Sequence, residues 1–259
     1  MRMMGIREVW SDNLVEELDT IMEIIDRYPY VSVDTEFPGV VIRPITSFSG
    51  DSPIPYRYQI VRSNVDFLQL IQVAFSFCDE NNNKPDGVHT WQFNLKFDIN
   101  SDFFSQDSID MLIGAGIDFG KLATRGIDSQ TLAEQLIVSG LVLNPDVQWL
   151  AFHAGFDFAY LLRMLSGHPL PKTHAAFVEL LSIFFPNIYD VKQLMRSCES
   201  LHGGLGGLAD ALQLTRIGPE HQAGSDALLT ADAFFAIRSK YFDNVVDPDK
   251  FKGAIYGLT

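Results

Sequence analysis

Two acids, Asp34 and Glu36, stand one residue apart in YVSVDTEFPG, residues 30–39. Val31 and Val33 alternate with them and Pro38-Gly39 closes the stretch, so it reads as a short strand. On a strand residues i and i+2 share a face, which sets two like charges side by side against their repulsion. Such a pair could ligate a hard divalent cation through its oxygens, although DxE also arises by chance. Further acids mark other element edges. WLAFHAGFDFAYLL (149–162) passes from a strand through a small-residue turn into a helix, with His153 and Asp157 about the turn. A carboxylate there is favoured by the helix dipole, and an N-cap is its ordinary role. HQAGSDALL (221–229) puts His221 in a Gly-containing loop and Asp226 in the first turn of the last long helix.

The elements that must position these groups are legible from periodicity. NLVEELDTIMEIIDRYPY carries Leu14, Leu18, Ile21, Ile25 and Tyr28 on one helical face, with Asn13 and Glu16 spaced as a capping box and Pro29 as a stop. A Ser/Pro/Gly-rich loop, TSFSGDSPIPY (46–56), precedes a short helix around Tyr58 to Val65. LIQVAFSFCD and VHTWQFNLKF read as strands of an antiparallel hairpin across the polar loop ENNNKPDG. From about residue 107 helical patterns dominate, interrupted by the strand candidates VQWLAFH and NIYDV. Strands first and helices between later strands predict a single α/β domain with a mixed sheet. The chain has 259 residues, 47% hydrophobic and 20% charged, enough for a large core and inconsistent with disorder. Its net charge of −14 opposes non-specific attraction to nucleic acid, so such a ligand needs local cations. Two cysteines, Cys78 and Cys198, make neither a disulfide framework nor a zinc knuckle. MRMMGIREVW lacks a signal-peptide core and no apolar run approaches spanning length, so cytoplasm or nucleus is expected.

Taken together, DxE on a strand, Asp at a strand-to-helix turn and H-x4-D at a late helix resemble the DEDDh group of 3′–5′ exonucleases. The segments DTEFPG, VRSNVDFLQLIQ, SQDSIDML, FHAGFDFAYLL, FFPNIYDVK and RIGPEHQAGSDALLT are similar, in that order, to the Pop/Caf class of poly(A)-specific ribonuclease, the catalytic deadenylase of the carbon catabolite repression–Not complex. The similarity runs from Ile6 to Leu258. Ala154 where serine is common, Ser105 in place of alanine, and GGLGGLAD depart from the family without touching an implied ligand. The resemblance implies a ribonuclease-H-like mixed sheet flanked by helices. It implies two Mg²⁺ ions, with Mn²⁺ as a substitute, held by Asp34, Glu36, Asp157 and Asp226, and His221 as general base. Two such ions clamp the attacking and leaving oxygens of an in-line phosphoryl displacement, and they answer the repulsion among the acids. The implied reaction releases 5′-AMP stepwise from a poly(A) 3′ end. The implied partners are the Not scaffold, a deadenylase subunit of the endonuclease/exonuclease/phosphatase class and Tob/BTG-type regulators.

Other signals carry less. GLGGLA from Gly204 fits GxGxxA but follows a segment that reads as a helix, so the Gly run is taken as a loop opening the helix LADALQL. Ser225 lacks the GxSxG of a nucleophile elbow. Phe37, next to the acids, could stack on a terminal adenine or simply lie in the core beneath Pro38. Two other functions share these features: a DEDDh exonuclease on another nucleic acid such as DNA, and a non-catalytic adaptor of the deadenylase complex. Substrate comparison separates the first, and the presence of all five site residues argues against the second.

Overall fold

The computed structural model describes residues 5–43 and 53–259. Most of the loop TSFSGDSPIPY lies outside the described residues. In chain order the elements are β1 (Ile6–Val9), α1 (Leu14–Ile24), β2 (Tyr30–Glu36), α2 (Ile54–Phe67), β3 (Gln72–Cys78), β4 (Thr90–Asn94), α3 (Gln106–Gly114), α4 (Phe119–Arg125) and α5 (Ser129–Val138). There follow β5 (Gln148–Ala151), α6 (Gly155–Ser166), α7 (His174–Phe184), β6 (Ile188–Asp190), α8 (Val191–Met195), α9 (Leu205–Leu212), α10 (Ala223–Tyr241) and α11 (Pro248–Phe251). The strands form one sheet in the order β1-β4-β3-β2-β5-β6. β2 pairs antiparallel with β3 and parallel with β5, and β3–β4 is the expected hairpin. The mixed sheet is therefore as the sequence predicts.

Alternation along the strands builds two cores. Val31, Val33, Phe75, Phe93 and Trp149 pack with residues of α1, α2, α5, α6 and α7 on one face. Cys78, Leu150 and Tyr189 pack with α8, α9, α10 and α11 on the other. Burial on both faces explains why β3 is buried along its whole length, the polar side chains of Gln72 and Ser76 included.

Local details differ from expectation where short-range signals competed. Asn13 makes no capping box with Glu16; its side chain accepts from Trp10 N–H and donates to Glu8 and Glu17, because β1 and α1 meet there. β1, too short to show a period, pairs parallel with β4. α2 extends from Ile54 to Phe67, longer than the Tyr58–Val65 reading. The helix expected after NIYDV stops at Met195, and α9 starts at Leu205, so Gly206 and Gly207 lie inside its first turn and not in a loop.

Candidate active site

β2 is interior to the sheet, and Asp34 and Glu36 occupy its C-terminal end, opposite Ala74 and Gln72 of β3. Ser32, on the same face, donates to the Ala227 carbonyl at 2.7 Å and so fastens β2 to α10. Ala74, Ala223 and Ala227 pack together there, and these small side chains let the helix start close against the strands. Gly224 goes further. A Cβ on it would stand 2.9 Å from Gln92 Oε1 and from Ile6 Cγ2, and its N–H donates to that Oε1 at 2.7 Å. Gln92 is itself held by Glu8, which also accepts from Asn94, and Asn94 accepts from Gln72. This buried polar ladder across β1, β4 and β3 fixes the start of α10, and with it Asp226.

Asp226 is buried in the first turn of α10. Its Oδ2 accepts the backbone N–H of His221 at 2.9 Å, and its Oδ1 accepts from Arg216 Nη1 at 2.5 Å. His221 itself has φ +61°, a left-handed conformation that turns the loop back onto the helix. One donor atom each from Glu36, His221 and Asp226 lie within 4.8 Å of one another, a spacing that could hold a metal ion.

Asp157 arrives from the opposite face. β5 runs parallel to β2, so both chains leave the sheet at the same edge, where ligands of α/β folds gather. The turn after β5 places Ala154 as the N-cap of α6 and Asp157 in its first turn, so Asp157 is not the cap residue itself. Thr35, pointing away from its two acidic neighbours, donates to Asp157 Oδ1 at 2.5 Å. One strand end thus meets a carboxylate from each helical layer.

The electrostatics are those of a site built for cations. Burial, and then the charges of Asp157, Asp226 and Glu36, push Asp34 well above the ordinary carboxylate range. Burial and then Asp226 and Asp157 do the same to Glu36. Burial raises Asp157 to about 7 against the pull of Thr35. Burial raises Asp226 as well, with Arg216 opposing. Four acids that disfavour their own charge, with hard oxygens and one nearby guanidinium, suit divalent metal ions of the Mg²⁺ type.

All five expected residues are therefore brought to one place. Phe37 follows them at the strand end, half-buried, stacked on Phe156 at 5.0 Å and tilted against Tyr160 at 5.1 Å. Two further residues were not anticipated. Arg216 bonds Ser225 as well as Asp226, and its Nη2 is buried without a partner among the described residues. Asp190, the last residue of β6, is 1% exposed and accepts the N–H groups of His153, Ala154, Lys192 and Tyr256. It pins the left-handed His153 turn from which α6 and Asp157 depart. An acid closing a strand, as in DTE, was the available signal for Asp190. For Arg216 the sequence offered only a cation ten residues before Asp226 in a Gly/Pro loop.

Known proteins resemble this chain in sequence and fold. The family model described as CAF1 family ribonuclease matches residues 9–139 and 129–234. Poly(A) ribonuclease pop2 of Schizosaccharomyces pombe is 49% identical, over 98% of this chain and 75% of its own length. The structure of S. pombe Pop2 in its Mg²⁺- and Mn²⁺-bound form superposes with a TM-score of 0.93 at 49% identity, covering 98% of this chain and 100% of that one. Yeast CAF1, co-crystallized with the NOT1 MIF4G domain, gives 0.81 at 32% identity, over 97% and 96% of the two chains. Exonuclease I from E. coli in complex with a dA16 oligonucleotide shares the fold alone, with a TM-score of 0.55 at 14% identity, over 83% of this chain and 41% of that one.

Proposed function

The chain belongs to the CAF1 family of ribonucleases, and we infer that it shortens poly(A) from the 3′ end, hydrolysing phosphodiester bonds and releasing 5′-AMP. The observation that carries this is the convergence of Asp34, Glu36, Asp157 and Asp226 with His221 at the end of β2. Asp34, Glu36, Asp157 and Asp226 are the residues to hold two divalent ions, as the Mg²⁺- and Mn²⁺-bound relative supports. When bound, the ions supply Lewis acidity at the phosphoryl group and charge for its leaving oxygen.

The chain's own groups do the rest. His221, on a loop held by Asp226, takes the proton of the attacking water. Thr35 and Arg216 keep Asp157 and Asp226 from rotating away. Phe37 has Phe156 and Tyr160 against it and offers the remaining ring surface to the terminal adenine.

The chain takes the Not scaffold as a partner, in line with the yeast relative's complex. A second deadenylase of the endonuclease/exonuclease/phosphatase class and Tob/BTG-type regulators complete the reading. Exposed apolar side chains support docking of partners: Phe67 stacks on Phe103 at 4.6 Å with both partly in solvent, and Val138 is exposed at the end of α5. Action in cytoplasm and nucleus belongs to the same reading. Among the described residues no helix is long and apolar enough to cross a membrane.

The test is hydrolysis of 5′-labelled RNAs ending in A, U or C tracts. Shortening of the A tract from its 3′ end, dependent on Mg²⁺ or Mn²⁺ and blocked by a 3′-phosphate, is expected. Equal shortening of all tails would overturn the poly(A) reading, and activity in chelator would overturn the metal site.

A further inference from the structure

The acidic surface is interrupted beside α8. A cavity of ≈ 320 Å³ lies between that helix, the loop leading to α9 and the C-terminal segment, lined by Lys192, Arg196, His202, Gly203 and Tyr256 among others. Lys192 Nζ stands 5.4 Å from the Phe152 ring centroid and 5.7 Å from that of Tyr256, and it donates to the Gly203 carbonyl. The Arg196 guanidinium lies 6.0 Å from the same tyrosine ring, which meets His153 edge-on at 5.0 Å. Glu199 also lines the cavity, yet among the described residues neither Lys192 nor Arg196 is ion-paired with a carboxylate. In a chain of net charge −14, two cations gathered on a tyrosine without acidic partners form a site for an anion that carries an aromatic group.

The place of this cavity is fixed by Asp190. One carboxylate accepts from the backbones of His153, Ala154, Lys192 and Tyr256, so those four positions crowd a single point. Ala154 is the N-cap of α6, and Asp157 is in the first turn. Two lining residues of the cavity, Lys192 and Tyr256, and the N-cap of the helix that carries Asp157 are thus tied to the same carboxylate. Two divalent ions would only neutralise the four carboxylates of the site, so further affinity for a polyanionic strand must come from cations close by.

We propose that Lys192, Arg196 and Tyr256 form a subsite for the RNA strand upstream of the scissile bond, the cations on its phosphates and the tyrosine against a base. This rests on the ribonuclease reading above. It also accounts for how so acidic a protein holds its substrate.

The experiment compares wild-type protein with Lys192→Gln/Arg196→Gln and with Tyr256→Leu, and uses Lys121→Gln, a cation over the Trp10 ring, as a control outside the cluster. Binding of oligo(A) is measured in Ca²⁺ over a range of salt, and shortening in Mg²⁺. The double variant should lose roughly tenfold or more in affinity, and its salt slope should fall by about 1.4, the value for two single-strand phosphate contacts. Its kcat/KM should fall more on long oligo(A) than on a dinucleotide. The control should bind as wild type does. Wild-type affinity and slope in a double variant of unchanged melting temperature would overturn the subsite. Should that variant fail to fold, Arg196→Gln alone, an exposed position, decides it by the same two readouts. Failure of the ribonuclease reading would show separately, as no shortening by the wild-type protein.

Discussion

Replacing Asp34 with asparagine removes one negative charge from a buried group of four while keeping the side chain's shape. The charges of Asp157, Asp226 and Glu36 all oppose its ionisation. Asp34→Asn is therefore expected to abolish hydrolysis and to raise metal-free stability near neutral pH, because the amide escapes both the burial and the repulsion that oppose the carboxylate. Urea denaturation in chelator, paired with single-turnover assays in Mg²⁺, checks both parts. His221 and Asp226 divide differently. Asp226→Asn should weaken metal binding and rate together, whereas His221→Ala should cost roughly 10²–10⁴-fold in rate and leave metal affinity largely intact. Because donor atoms of His221, Glu36 and Asp226 lie within 4.8 Å of one another, the comparison is informative. Calorimetric metal titration showing equal loss in both variants would make the histidine a ligand.

The elements carry their own tests, because two of them hold site residues without touching substrate. Gly224 sits where α10 closes on β4 and β1, with no room for a methyl group beside Gln92 and Ile6. Gly224→Ala should cost about 1–3 kcal/mol as an overpacked contact and shift Asp226 with the helix start. A lowered melting temperature together with weakened metal binding is the expected pair of readouts; a lowered melting temperature with metal affinity unchanged would separate the helix start from the site. Asp190→Asn replaces a carboxylate that accepts four N–H groups by an amide with one acceptor oxygen. Its NH₂ would face backbone donors, leaving about two of them unsatisfied at roughly 1–3 kcal/mol each. Chemical denaturation should show that loss, and amide exchange should quicken at His153, Ala154 and Tyr256 before it does in the sheet.

For the molecule as a whole, the raised acids link stability to pH and to metal. An acid with a folded pKa above its unfolded value binds its proton more tightly when folded, so stability falls as pH rises between the two. For Asp157 that window runs from 3.8 to about 7, and Asp34, Glu36 and Asp226 shift in the same direction. The metal-free protein should therefore melt at progressively lower temperature from about pH 4 through pH 7. Mg²⁺ should restore the loss, and more strongly as pH rises, because it binds the ionised ligands. Scanning calorimetry across this range with chelator or Mg²⁺ tests it. A melting temperature that rises with pH in chelator would mean that the four acids do not govern this stability.

The residue types of the site were legible because its chemistry is local in sequence. Asp34 and Glu36 share a strand face, Asp157 begins a helix, and His221 and Asp226 bracket a loop-to-helix step, so period and spacing point to each. Long apolar periods likewise announced β3, α6 and α10. What the chain order could not convey was which groups face one another across long separations. Thr35 reaches Asp157, 122 positions away, and Gly224 rests on Gln92 across 132. Asp190 gathers amides from three separate segments. Arg216 became part of the site only when its loop folded back over Asp226, and β1 became a strand only by pairing with β4. Hydrophobic period, turn chemistry and donor type are properties of neighbours along the chain, and the sequence alone determined them. Pairing of buried polar groups is a property of neighbours in space, set by how the two helical layers close on the sheet, and only the tertiary structure decided it.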